Sequence, residues 1–233
     1  MFCDILRMTS LGNEEYSMKQ GAIFDMDGLL LDTERMYRDS WKKSAEQFGL
    51  VHNPDFPRAV CGSSGMHMQE IILQYYPQVD AKAFAEDCIL RVERELQTHV
   101  PIKTGVSEIL RYFKQQSVKL AVASSSKRET VKSNLDKVGI LSYFDAVVSG
   151  DQVEHGKPAP DIFLLAAQQI GCAPENCYVF EDGTNGIRAG AAAGCATVMI
   201  PDLTPPNAQL EQLCTGIYPS LLDAMHAIAN QEI

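Results

Sequence analysis

Five short apolar runs punctuate the chain: Ala22 to Phe24, Leu120 to Ala123, Ala146 to Val148, Tyr178 to Phe180 and Ala196 to Ile200. Each is hydrophobic without a break, the pattern of strands buried on both faces of a parallel sheet, whereas a sheet with one wet face alternates. Helical periodicity separates the later runs. Val106, Ile109, Leu110 and Phe113 recur at i, i+3, i+4 and i+7, and Ile162, Leu165, Ala166 and Ile170 make a similar stripe. Strand alternating with helix predicts an α/β fold with a doubly wound parallel sheet as its core.

Between Asp32 and about Pro101 the strand pattern stops and charge-rich helical segments replace it. These are predicted at Glu34 to Phe48, Met66 to Tyr75 and Ala81 to Gln97, with breaks at Gly49, Pro54, Pro57, Gly62, Gly65 and Pro77. The reading is a small α-helical cap domain at 33–100 inserted into a core built from 18–32 and 101–233. An insertion directly after the first strand hangs over the carboxyl ends of the strands, where open α/β sheets bind ligands. Thr33 and the stretch from Thr98 to Pro101 are then the expected hinges. Residues 1–17 are polar and acidic and read as an N-terminal extension, with Met18 a second candidate for the initiator.

Composition narrows the partners. Over 233 residues the formal net charge is −10, which argues against nucleic acid or an anionic membrane and leaves room for a small anionic substrate met by local cations. The seven cysteines are scattered, with no C-x-x-C pair, as expected of reduced thiols in a cytoplasmic protein. No apolar run approaches the roughly 18 residues of a membrane span. Nothing suggests an association motif, so a monomer is expected.

The chemistry gathers where the strands end. Phe24-Asp25-Met26-Asp27-Gly28 brings two carboxylates to the end of the first run, and Gly28 lets the chain turn so that Asp25 and Asp27 take different orientations. After Leu120 to Ala123 come Ser124, Ser125, Ser126 and Lys127, an anion cradle at a helix start, although serine there also serves as an ordinary N-cap. Lys157 follows the next strand in a loop stiffened by Pro158 and Pro160. After Tyr178 to Phe180 come Glu181, Asp182, Gly183, Thr184, Asn185 and Gly186. All carboxyl ends of a parallel sheet meet on one edge, so these loops form a single constellation. It suits phosphoryl transfer to a carboxylate. A phosphate dianion is repelled by an ionised aspartate, and Mg²⁺ held by Asp25, the backbone carbonyl of Asp27 and Asp182, with Glu181 as a direct or water-mediated ligand, would neutralise both. Lys157 adds a second positive charge. Asp27 would protonate the leaving alcohol and later deprotonate the attacking water.

These four motifs, in this order, resemble the haloacid dehalogenase superfamily, in particular its Mg²⁺-dependent phosphatases with a helical cap after the first strand. The resemblance runs from about Met18 to the C-terminus. It implies that Asp25 is the nucleophile, Asp27 the acid/base, Ser124 the phosphate-binding hydroxyl, Lys157 the conserved cation, and Glu181 with Asp182 the acidic metal motif. The stretch from Phe24 to Glu34 looks like the group of small-molecule phosphatases and β-phosphoglucomutase, in which Ser126, Lys127 and Asn185 also border the pocket. The implied activity is release of phosphate from small esters, sugar or nucleoside phosphates. A sugar phosphomutase is the alternative, but its cap histidine and arginine correspond here to Tyr37 and Gly65. His67 lies nearby and reads as a helix-surface residue, and His155 as a loop residue. A carbon-attacking dehalogenase would not use a second aspartate as Asp27 is used. A non-catalytic sensor would have lost a carboxylate that is present here. Tyr37, Trp41 and Phe56 are the cap aromatics, the last two expected in its core.

Overall fold

The computed structural model describes residues 18–61, 63 and 65–233. The N-terminal extension at 1–17, and Gly62 and Ser64 of the cap loop, lie outside them. Six parallel strands form one sheet: β1 (Gly21–Phe24), β2 (Lys119–Ser124), β3 (Ala146–Ser149), β4 (Cys177–Glu181), β5 (Ala196–Met199) and β6 (Gly216–Ile217). Their order is β3-β2-β1-β4-β5-β6. The first strand is therefore central, and the order reverses beside it, the usual place for a binding crevice.

The period of two along each strand explains why both faces are apolar. Ala22, Phe24, Leu120 and Val122 pack on one side against α5 (Val106–Gln115), α6 (Arg128–Lys137) and α10 (Leu221–Ala229). Ile23, Ala121, Ala123 and Val179 pack on the other against α7 (Asp161–Gln169) and Ala189 of α8 (Thr184–Ala192). Phe24 stacks on Phe180 at 4.7 Å between centroids and meets Phe113 edge-on at 6.2 Å, which anchors the strand end that bears Asp25. A short helix, α9 (Ala208–Leu213), precedes β6.

Four helices stand between β1 and α5: α1 (Glu34–Gln47), α2 (Phe56–Val60), α3 (Gly65–Tyr75) and α4 (Ala81–Leu96). They have a core of their own, in which Trp41, Phe56, Tyr76 and Phe84 interlock. Trp41 and Phe56 are thus core residues, as expected. Two elements differ from the sequence reading. Pro57 starts a helix rather than breaking one, because it occupies the first turn of α2, where a missing N–H costs nothing. The strand β6 is only two residues long and too short to show as a run. Among the described residues no helix is long and apolar enough to cross a membrane, and six of the seven cysteines are described, all free.

Candidate active site

The sheet's carboxyl edge and the overlying helices enclose a cavity of about 540 Å³, within the usual range for small-molecule sites. Asp25, Asp27, Ser125, Ser126, Lys127, Lys157, Glu181, Asp182 and Asn185 all line it, so the structure brings together every predicted site residue except Ser124. That residue is fully buried one step beneath the wall.

Asp25 still belongs to the sheet ladder, its N–H donating to Phe180 O at 3.1 Å. The chain then turns: Gly28 has φ +86°, and a Cβ there would strike Asp182 Oδ2 and lie 2.9 Å from Glu34 Cγ. Only glycine fits, for conformation and for space. Past the turn, Asp27 accepts from Thr33 Oγ1 at 2.9 Å on one oxygen, and from Ser126 Oγ at 2.9 Å and Ser124 Oγ at 3.3 Å on the other. The serines therefore serve Asp27 and not the helix start, since α6 has no side-chain cap bond. Burial raises the Asp27 carboxyl above the ordinary range, and these hydroxyls only partly offset it.

Lys157 Nζ bridges Asp25 Oδ1 at 2.5 Å and Glu181 Oε1 at 2.7 Å, donates to Ala123 O at 3.1 Å, and lies 5.0 Å over the Phe163 ring. Burial opposes its charge, but the two carboxylates prevail and hold the ammonium above its usual range. The second oxygen of Glu181 accepts from the N–H groups of Asp182 and Gly183, each at 2.9 Å. Oε1 of Glu181, with one hydrogen bond, keeps a lone pair for the expected direct or water-mediated contact with an ion. Gly186 permits this arrangement, because a Cβ there would collide with the Glu181 carboxylate.

Sequence reasoning missed Glu34. It opens α1, where an acidic residue reads as a partner of the helix dipole, but it is 7% exposed and turned into the cavity. Burial, then the Asp27 charge, pushes its carboxyl up to about 8, with the Cys61 thiol donating to it. Its position, one turn after the carboxylate loop and directly above the sheet edge, was the available signal. Burial, and then the carboxylates around it, hold the Cys61 thiol far above its normal range, so it is an inert cavity wall. His67 is exposed and pairs with Glu70 at 3.6 Å, while His155 pairs with Asp161 at 3.1 Å, and neither lines the cavity.

Seven carboxylates thus line one cavity against three cations, Arg38, Lys127 and Lys157, of which Lys157 is bonded to Asp25 and Glu181. Burial dominates at Asp25 and Asp182, and mutual repulsion adds to it; both sit well above the ordinary range. A site built this way lacks positive charge. Its donors are all hard oxygens, which fits Mg²⁺, an ion that takes one or two carboxylates and fills its remaining positions with waters and phosphate. Among the described residues no three acidic, histidine or cysteine side chains form a ready-made metal cage, and a donor set of two carboxylates and a backbone carbonyl does not call for one.

Residues 22–200 match the family model described as haloacid dehalogenase-like hydrolase. A phosphorylated carbohydrates phosphatase of Thermotoga maritima is 33% identical over 198 residues, 82% of this chain and 90% of the relative. Fructose-1-phosphate phosphatase YqaB of Escherichia coli is 35% identical over 184 residues, 78% of this chain and 97% of the relative. Among solved structures, β-phosphoglucomutase of Clostridium difficile aligns with a TM-score of 0.78 at 24% identity, covering 92% of this chain and 97% of that one, a likeness of fold.

Proposed function

The chain belongs to the haloacid dehalogenase-like hydrolases and is a phosphatase of that type; from this premise we propose that it hydrolyses small phosphate monoesters, sugar or nucleoside phosphates, through an aspartyl phosphate on Asp25. The observation that carries the reading is the opposed environment of two neighbouring carboxylates. Asp25 is paired with the Lys157 ammonium, whereas Asp27 is ringed by the hydroxyls of Thr33, Ser124 and Ser126. A cation against a carboxylate favours its ionised, nucleophilic form, and a carboxyl among hydroxyls can give and take a proton.

Asp25 attacks phosphorus, the bond to the leaving oxygen breaks, and Asp27 gives that oxygen its proton. Asp27 then takes a proton from the water that attacks the phosphorus, orthophosphate departs, and Asp25 is regenerated. The hydroxyls of Ser124 and Ser126 leave Asp27 for phosphate oxygens, joined by Ser125, the Lys127 ammonium and Asn185 at the start of α8. Lys157 balances charge on Asp25 and the transferring oxygens, and Glu181 holds Lys157 and the N–H groups of the following loop in place. Mg²⁺, held by Asp25, the carbonyl of Asp27 and Asp182, would supply the positive charge that lets a dianion approach Asp25. The cap argues against the mutase alternative, because Tyr37 stands on the cavity wall where a mutase would carry its histidine, and His67 lies outside it.

The test is orthophosphate release from a panel of sugar, nucleoside and polyol phosphates, with β-glucose 1-phosphate plus a bisphosphate primer as the mutase arm. Metal-dependent release, suppressed more than about tenfold by EDTA, is expected for a few esters. Isomerisation without net phosphate release would replace this reading. The charge deficit gives a second prediction, independent of turnover. Mg²⁺ at about 100 times its dissociation constant adds roughly 2.7 kcal/mol, so the melting temperature should rise by roughly 5–10 °C. A flat magnesium titration would count against the metal site.

A further inference from the structure

The two connections between the inserted helices and the core run side by side. Leu31 and Ile102 form an antiparallel bridge, the Asp32 N–H donates to Pro101 O at 3.0 Å, and the Lys103 N–H donates to Leu30 O at 3.1 Å. At the core end of this ribbon the Lys103 ammonium lies 3.0 Å from Asp202 Oδ1, in the loop after β5, and 3.6 Å from Asp32 Oδ1. One cation thus touches the first connection, stands on the second, and reaches a core loop. The side chains of Lys103, Asp32 and Asp202 are 20%, 24% and 12% exposed, which removes them from the class of solvated surface pairs that contribute little. Asp32 Oδ1 and Asp202 Oδ2 accept no hydrogen bond, so their charge is balanced mainly by Lys103. Arg35 also approaches Asp32, at 3.6 Å, but from the cap side and with 68% of its side chain exposed.

We propose that Lys103 is a positioning residue: by clamping Asp32 and Asp202 it fixes the paired connections to the core, so that the cap helices pivot beyond the clamp, at Thr33 and residues 98–100, and close over Asp25 in one geometry. The inference rests on the phosphatase reading of the site. Lys103 is not part of the cavity wall, so its loss acts through the connections. An ester gripped between cap and core then loses its fit, because small displacements at a reacting centre are costly. A substrate with almost no leaving group, such as acetyl phosphate, barely meets the cap and is little affected.

The experiment compares Lys103→Met with Lys103→Arg and with Asp202→Asn in the full chain. Hydrogen exchange at the Asp32 and Lys103 amides should accelerate about tenfold in Lys103→Met and return towards wild type in Lys103→Arg. With the best ester of the panel, KM should rise about tenfold while kcat changes less than about threefold, and acetyl phosphate hydrolysis should stay within about twofold. Unchanged exchange overturns the clamp, and faster exchange with unchanged kinetics overturns the positioning role. If Lys103→Met fails to fold, Asp202→Asn, which keeps the side-chain shape, is judged by the same measurements. A wild-type protein without turnover would sink the phosphatase reading alone, and amide exchange would still decide the clamp.

Discussion

Asp25→Asn is expected to abolish phosphate release, by at least about 10³-fold, without unfolding the protein. An amide of the same shape keeps the strand end, the Phe24 stacking and the backbone bond to Phe180, but it is too poor a nucleophile to form an acyl phosphate. Stability should move little or rise. The Asp25 carboxyl is held above its ordinary range because burial, Glu181 and Asp27 together outweigh Lys157, so its ionised form is a liability to the folded state. Lys157 retains Glu181 as a partner at 2.7 Å. A melting temperature at or above that of wild type, with turnover gone, separates loss of the nucleophile from loss of the fold. Residual activity near the wild-type level would sink the assignment of Asp25, and a collapse in melting temperature would show that its charge is structural. The same comparison tests Asp27: Asp27→Asn leaves the nucleophile intact but removes the acid and base, so with acetyl phosphate, whose leaving group needs no proton, a burst of phosphoenzyme without steady turnover is the expected contrast.

The sheet and the loops at its edge were legible in the sequence because both obey local rules. Buried parallel strands are uninterrupted apolar runs, and the loop after each run leaves from the carboxyl edge, so Asp25, Lys157 and Asp182 could be gathered from the sequence alone. The rest depends on contacts distant in sequence. Glu34 reads only as the start of a helix, and its burial at the cavity depends on how α1 folds back over the site after the turn at Gly28. The bond from the Ser124 hydroxyl to Asp27, 97 residues away, could not be read beside its expected role towards phosphate. Glu181 reads as an acidic metal residue, and its bonds to Lys157 and to two backbone N–H groups could not be read from the sequence. Pro57 misled for a different reason, since proline breaks a helix only past its first turn. The clamp at Lys103 was invisible, because nothing local links it to Asp32 or Asp202.

Lys157→Met should be the most destabilising single change at the site. Its ammonium makes three hydrogen bonds in a place where the side chain is 3% exposed, and methionine of similar length fills the space over Phe163 without replacing the charge. Two carboxylates, Asp25 and Glu181, are then left buried without their cation. Breaking a buried pair from one side typically costs about 3–5 kcal/mol, enough to lower the melting temperature of a chain this size by about 6–20 °C. The pH dependence follows in sign. Asp25 already has a raised carboxyl in the folded state, and removing Lys157 raises it further. A group whose folded pKa lies above its unfolded one stabilises the protein below the unfolded value and loses that contribution as pH rises through the folded value. The variant should therefore regain stability as pH is lowered from 8 towards about 5, and the difference from wild type should narrow over the same interval. Mg²⁺ should restore part of the melting temperature by neutralising Asp25, but not turnover, since the transferring oxygens lose the charge of Lys157. A variant as stable as wild type at pH 8 would mean that Asp25 does not depend on the Lys157 charge, and the charge deficit argued for the metal would fall with it.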